Sequence, residues 1–149
     1  MHILLTGGGT GGHVVPLIAV ARELKIIAAA EGVKIHLHFM GPLNLGRDLL
    51  ELEGIALHGV HAAKWRRYAS ADNMLDLWKI PFGVLEAAWK MFWIMPDVVF
   101  SKGGYGSLPA LMVSRIYRIP VMIHESDVVP GLANRLASTF AKQIFCFIR

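Results

Sequence analysis

Residues 6–13 read TGGGTGGH, and their reading decides the fold. The apolar run Ile3-Leu4-Leu5 leads into them, and an amphipathic run opened by Val14, Val15 and Pro16 leads out. That order predicts strand, glycine-rich turn, helix. Five glycines in the turn remove the Cβ atoms that would hold a ligand off the backbone. The first amides of a helix lack intrahelical acceptors and carry the positive end of its dipole, so the turn suits an anion, most often a phosphate. His13 stands at the lip, the one side chain there able to move a proton near neutral pH.

Gly7, Gly9 and Gly12 fit G-x-G-x-x-G, a short pattern shared by several chemistries. Its nicotinamide-cofactor form needs an acid at the end of the second strand for the ribose. No acid lies between Glu31 and Asp48. A phosphate loop of the Gly-Lys-Ser/Thr type is absent too, because His13 and Val14 follow the last glycine. No cofactor is expected.

Outward from the turn, strands and helices alternate. Strands are predicted at residues 2–6, 34–40, 55–60, 97–101, 120–124 and 143–148. The first helix, residues 14–30, presents Leu17, Val20, Ala21, Leu24 and Ile27 on one face, with Pro16 in its first turn. Further helices are predicted at 45–53, 73–79, 82–95 after a break near Pro81, 108–117 and 130–142. Phe82, Leu85, Trp89, Phe92 and Trp93 recur at helical spacing and read mostly as core, with a bilayer-dipping surface as the alternative. The alternation predicts an α/β fold, a doubly wound parallel (Rossmann-like) sheet, as a single domain over residues 1–149. With strand order 3-2-1-4-5-6, the first and fourth strands meet at the switch point. A second glycine-rich turn, residues 102–107 (KGGYGS), follows the fourth strand, and residues 124–127 (HESD) end the fifth. Both then converge with the first turn on one crevice.

Composition narrows the partners. Hydrophobic residues make up 54% of the 149 and the formal net charge is +4, with mean hydropathy +0.48. An apolar, basic protein points to an anionic ligand or an anionic membrane surface. Basic residues are scattered without a nucleic-acid motif, so no nucleic acid is expected. The densest basic stretch is Lys64-Trp65-Arg66-Arg67-Tyr68, either a solvated loop or a headgroup contact. Met1 is followed directly by a predicted strand, so no signal peptide is expected. The most apolar window, residues 77–95, holds Lys79, Pro81, Glu86 and Lys90 and should not span a membrane. The single Cys146 cannot form an internal disulfide and reads as a buried packing residue in a reducing compartment. His36 and His38 share one strand face, as metal ligands or, more simply, packed under a helix edge; no metal is expected.

Three stretches carry a resemblance. Residues 7–25 (GGGTGGHVVPLIAVARELK), 96–112 (PDVVFSKGGYGSLPALM) and 120–138 (PVMIHESDVVPGLANRLAS) resemble, in order, three motifs of MurG-type glycosyltransferases. That family transfers N-acetylglucosamine from UDP-GlcNAc to lipid I, giving lipid II in peptidoglycan synthesis. The resemblance implies one half of a two-domain GT-B enzyme, inverting and metal-independent, peripheral on the cytoplasmic face of the bacterial inner membrane. Most uridine-nucleotide contacts would lie in a second, donor-binding domain that this chain lacks, so the chain alone should be inactive. Two other readings are a membrane-recruiting subunit of a split, two-chain glycosyltransferase and an unrelated Rossmann nucleotide-binding module.

The resemblance also assigns residues. It makes His13 the candidate base for the acceptor hydroxyl, against a plain role in holding phosphate or capping the helix. Thr10, Gly11, Gly12 and Asp127 match donor-associated positions. Gly9, Gly103, Gly104, Tyr105, His124, Glu125 and Asn134 match the acceptor cradle, with Glu125 open between acceptor contact, orienting His124 and capping the next segment. Ser126-Asp127 stands where the family commonly has Gln-Asn, and an ionised Asp127 can accept but not donate hydrogen bonds. Gly106 replaces a residue that is often β-branched or small.

Overall fold

The computed structural model describes residues 1–8, 11–43, 46–62, 71–127 and 129–146. Six strands, β1 (His2–Thr6), β2 (His36–Gly41), β3 (Ala56–Gly59), β4 (Val98–Ser101), β5 (Val121–Glu125) and β6 (Gln143–Cys146), form one parallel sheet ordered β3-β2-β1-β4-β5-β6. The expected order is therefore present, with β1 and β4 adjacent at the point where the winding reverses. Helices α1 (Gly11–Ala30) and α2 (Arg47–Leu52) cover one face. Helices α3 (Ala71–Ile94), α4 (Leu108–Tyr117) and α5 (Leu132–Ser138) cover the other.

The period-2 alternation of β1 splits the core. Ile3 and Leu5 join Leu37 and Phe39 under Val14, Leu17 and Ala21 of α1. Leu4, pointing the other way, joins Met40, Val99, Val121 and Ile123 under Ala87 and Met91 of α3. Thr6, fully buried at the end of β1, donates its hydroxyl to the Met40 carbonyl at 2.8 Å, which ties the first glycine turn to β2.

Several boundaries depart from expectation. Helix α1 starts at Gly11, so Pro16 lies in its second turn. The carbonyl that Pro16 leaves without an amide is that of Gly12, which is exposed and can be hydrated. Ile27 is exposed, because the buried stripe runs Val14, Leu17, Ile18, Ala21, Ala28. Helix α3 is continuous through Pro81, held on its far side by packing of Ala87, Met91 and Ile94. Helix α5 is shorter than expected: Gly131 precedes it in extended geometry, and the Ser138 and Thr139 hydroxyls bond back to carbonyls of its last turn.

Two packing expectations fail. The aromatic stripe of α3 faces outward: Phe82, Leu85, Trp89, Phe92 and Trp93 are 60–68% exposed. The buried side of the helix carries Gly83, Ala87 and Met91. Gly83 lies against the His61 carbonyl and Pro109 of α4, and a Cβ there would collide with the His61 oxygen. Cys146 is exposed as well, since β6 is the edge strand and all four of its residues face solvent.

The strand histidines form a ladder. His2 stacks on His36 and on His38, with ring centroids 4.8 and 5.3 Å apart, and His38 meets His58 at 5.3 Å. Ring nitrogens of His2 and His38, and of His38 and His58, lie 3.1 Å apart. Burial, then the neighbouring His58, His2 and His36, push His38 down to about 4, so this central rung is neutral at pH 7.

Candidate functional site

The crevice at the β1/β4 switch point is built from backbone meeting backbone. The Gly8 amide donates to the Gly103 carbonyl at 2.7 Å. A Cβ on Gly8 would lie 2.8 Å from the Gly104 α-carbon, and one on Gly104 the same distance from Gly8. Gly104 has φ 82° and ψ 165°, a region essentially closed to other residues. Glycine at both positions is what lets the two turns touch. Beyond them Tyr105–Ser107 makes a short 3-10 turn into α4, with Ser107 Oγ donating to the Gly104 carbonyl at 2.8 Å.

His13 lies in the first turn of α1, half-buried, with Nε2 only 3.2 Å from where a Gly104 Cβ would stand. It thus bridges the two turns, inside the crevice instead of at its lip. Burial and the nearby Lys102 charge lower its pKa; the Lys102 carbonyl, Asp127 and Glu125 oppose that and do not cancel it. The imidazole is therefore neutral at pH 7, the state a general base requires. Its Nδ1 is buried without a hydrogen-bond partner among the described residues.

The end of β5 supplies the third wall. Glu125 is buried and accepts from the Asp127 amide at 3.0 Å, the Gly131 amide at 3.3 Å and Asn134 Nδ2 at 3.0 Å. Burial alone would raise its pKa, but these donors and the Ser126 amide hold it below the usual carboxylate range. Of the three roles open to Glu125, the geometry shows the capping one. Asn134, buried on α5, packs its amide against Gly103, where a Cβ would come within 2.7 Å. The pKa of His124 is lowered by burial and by Lys102, with Glu125 opposing. Asp127 is exposed at the rim.

Gly11 and Gly12 open α1, and Gly12 has open space beside it. Gly9, Thr10 and the basic stretch Lys64–Tyr68 lie outside the described residues. The residue that sequence reading missed is Lys102. It is only 5% exposed, and its ammonium donates to Ser126 Oγ at 2.8 Å. A lysine beside a glycine turn carries no signal of burial; only the register of β4 against β1 and β5 reveals it.

The glycosyltransferase family 28 N-terminal domain model matches residues 3–146. The chain belongs to this family. It is 42% identical over 143 residues to the UDP-N-acetylglucosamine--N-acetylmuramyl-(pentapeptide) pyrophosphoryl-undecaprenol N-acetylglucosamine transferase of Legionella pneumophila strain Corby, covering 95% of this chain and 38% of that protein. The same enzyme of Treponema pallidum strain Nichols is 39% identical over 142 residues, covering 95% and 36%. The crystal structure of Acinetobacter baumannii MurG superposes with a TM-score of 0.77 at 27% identity, over 99% of this chain and 41% of that one. The chain thus spans little more than a third of the length of the curated relatives it matches. The sheet is the doubly wound one expected from the alternation, it matches the GT-B half that the resemblance implied, and the two glycine turns lie at its switch point.

Proposed function

We propose that this chain is the acceptor-binding domain of a transferase that moves N-acetylglucosamine from UDP-GlcNAc to lipid I. The observation that carries the reading is the pair of touching glycine turns with a neutral imidazole between them. Exposed amides and the start of α1 receive the acceptor diphosphate. His13 takes the proton of the attacking sugar hydroxyl as the diphosphate of the donor departs. Gly103, Gly104, Tyr105, His124 and Asn134 shape the acceptor side, with Glu125 fixing the loop that carries Asp127 toward the donor sugar. The uridine nucleotide is held mainly by a second domain, as the length of the relatives suggests.

The outward stripe of α3 serves the same reading. Phe82, Leu85, Trp89, Phe92 and Trp93 form an apolar face, and a groove of about 540 Å³ lined by Met91, Phe92, Met95, Pro96, Asp97, Tyr117 and Ile119 adjoins it. No described helix is long and apolar enough to cross a membrane. The face instead dips into the headgroup region of an anionic leaflet, the cytoplasmic one of the inner membrane, where lipid I is presented.

The test is titration of a soluble lipid I analogue and, separately, UDP-GlcNAc into the chain and into His13→Ala. Saturable acceptor binding weakened by the substitution, with little donor binding, supports the reading. Tight donor binding with no acceptor binding rejects it. Sedimentation with phosphatidylglycerol vesicles, lost in Trp89→Ser/Trp93→Ser, tests the membrane face.

A further inference from the structure

Resting on the acceptor-domain reading, we infer that Lys102 is the cation this chain brings to a bound diphosphate, with Ser126 as the residue that positions its ammonium. Lys102 follows the last residue of β4, at the switch point, and its backbone amide is tied to the Thr6 carbonyl at 3.0 Å. The side chain is buried, yet among the described residues its ammonium has one hydroxyl partner, Ser126 Oγ at 2.8 Å, and no ion pair. An ammonium carries three donors, and burying it without a counter-charge is unfavourable. Neither nearby acid forms an ion pair with it among the described residues: the Glu125 oxygens are held by the Asp127 and Gly131 amides and Asn134, and Asp127 is exposed at the rim. Its backbone is tied to the end of β1 and its ammonium to Ser126, just past β5, so the side chain reaches from the first turn to the end of β5.

This arrangement completes an anion site that the glycine turns only begin. Backbone amides offer partial charges; Lys102 adds a full one in a partly dehydrated place, where it acts most strongly. Ser126 is one of the two positions where the chain departs from the Gln-Asn expected by resemblance. Its short hydroxyl accepts from Lys102, so the departure is explained as the partner of the buried cation. The ligand chemistry is a pyrophosphate group, which both the lipid acceptor and the nucleotide donor carry.

Inorganic pyrophosphate, a soluble lipid I analogue and UDP-GlcNAc are titrated calorimetrically into the 149-residue chain at two salt concentrations, wild type beside Lys102→Met, Lys102→Arg and Ser126→Ala. Lys102→Met should weaken pyrophosphate about tenfold or more, the scale of one lost charge-assisted hydrogen bond, and flatten the salt dependence. Lys102→Arg should keep that dependence, and Ser126→Ala should weaken binding by about threefold through lost positioning. A loss seen with the lipid I analogue and not with UDP-GlcNAc identifies the acceptor diphosphate; the reverse identifies the donor's. A folded Lys102→Met with wild-type affinity and salt dependence for every probe overturns the role of Lys102 and leaves the acceptor-domain reading standing. A wild-type chain that binds none of the three overturns both. If Lys102→Met does not fold, unchanged pyrophosphate affinity in Ser126→Ala overturns the proposal.

Discussion

Replacing Gly104 by alanine tests whether the crevice floor requires two bare α-carbons. The backbone there, φ 82° and ψ 165°, is essentially restricted to glycine, and holding another residue in it costs about 1–3 kcal/mol. The added Cβ would also stand 2.8 Å from the Gly8 α-carbon and 3.0 Å from its nitrogen. Those neighbours are backbone and cannot swing aside, so overpacking adds about 1–3 kcal/mol. Together Gly104→Ala should destabilise the chain by about 2–6 kcal/mol, a large share of the about 5–15 kcal/mol available to a domain. At about 2–4 °C per kcal/mol, Tm should fall by roughly 4–24 °C. Gly12→Ala in the same site is the control with the opposite sign. It is helical, has nothing within 4 Å of a built Cβ, and should stabilise by up to about 1 kcal/mol. Urea unfolding followed by far-UV circular dichroism reads both. A Gly104→Ala midpoint matching wild type to within about 0.5 kcal/mol would refute the contact argument.

Gly83→Ala should destabilise by about 2 kcal/mol or more despite alanine's better helix propensity, because its Cβ would collide with the His61 carbonyl oxygen; a gain in urea midpoint would contradict this. Glu125→Ala leaves the Asp127 and Gly131 amides and Asn134 without their acceptor and should cost about 2–4 kcal/mol; Glu125→Gln keeps one acceptor oxygen but turns an NH2 toward the other donors, so it should recover only part of that loss, and a wild-type urea midpoint in Glu125→Ala would contradict the capping role. His38, free to protonate near 6.5 when unfolded and held down to about 4 in the fold, favours the native state above pH 6.5. That stability is lost as pH falls toward 4, so a stability profile over this window should be shallower in His38→Leu than in wild type.

The sheet was readable because each local signal had one physical meaning. Ile3-Leu4-Leu5 ahead of a glycine run can only enter a turn, and a parallel βαβ crossover has one favoured hand. With the order β3-β2-β1-β4-β5-β6, one of the orders such a sheet can take, β1 and β4 meet, and with them the two glycine turns. What was hidden depends on which side of an element faces its neighbour. Helix α3 is apolar nearly all round, so periodicity ranked its aromatic stripe as core. The side that is buried bears Gly83, Ala87 and Met91, with Gly83 fitted against the His61 carbonyl and Pro109, contacts that no periodicity encodes. The histidine ladder needs the register that sets His2 beside His36 and Met40 beside His58, which no single strand encodes. Cys146 looked buried in an apolar run because an edge strand and a central strand share the same composition. Within the site, the approach of His13 to Gly104 followed from topology, whereas the burial of Lys102 and the engagement of Glu125 did not.

The hydrogen bond from Gly8 to Gly103 joins turns as far apart along the chain as His2 and Asp97, which are 95 residues apart. On a ribosome extending the chain at about 5–20 residues per second, the first turn would wait several seconds for its counterpart. Through that interval β1 can pair with β2, and α1 can cover them, but the crevice has no floor. Closing so long a loop comes late and slowly in folding. Ligand binding therefore reports completion of the sheet: a partly folded chain, however helical, has no competent site. Once the floor closes, the ligand meets a surface already ordered by contacts of backbone on backbone.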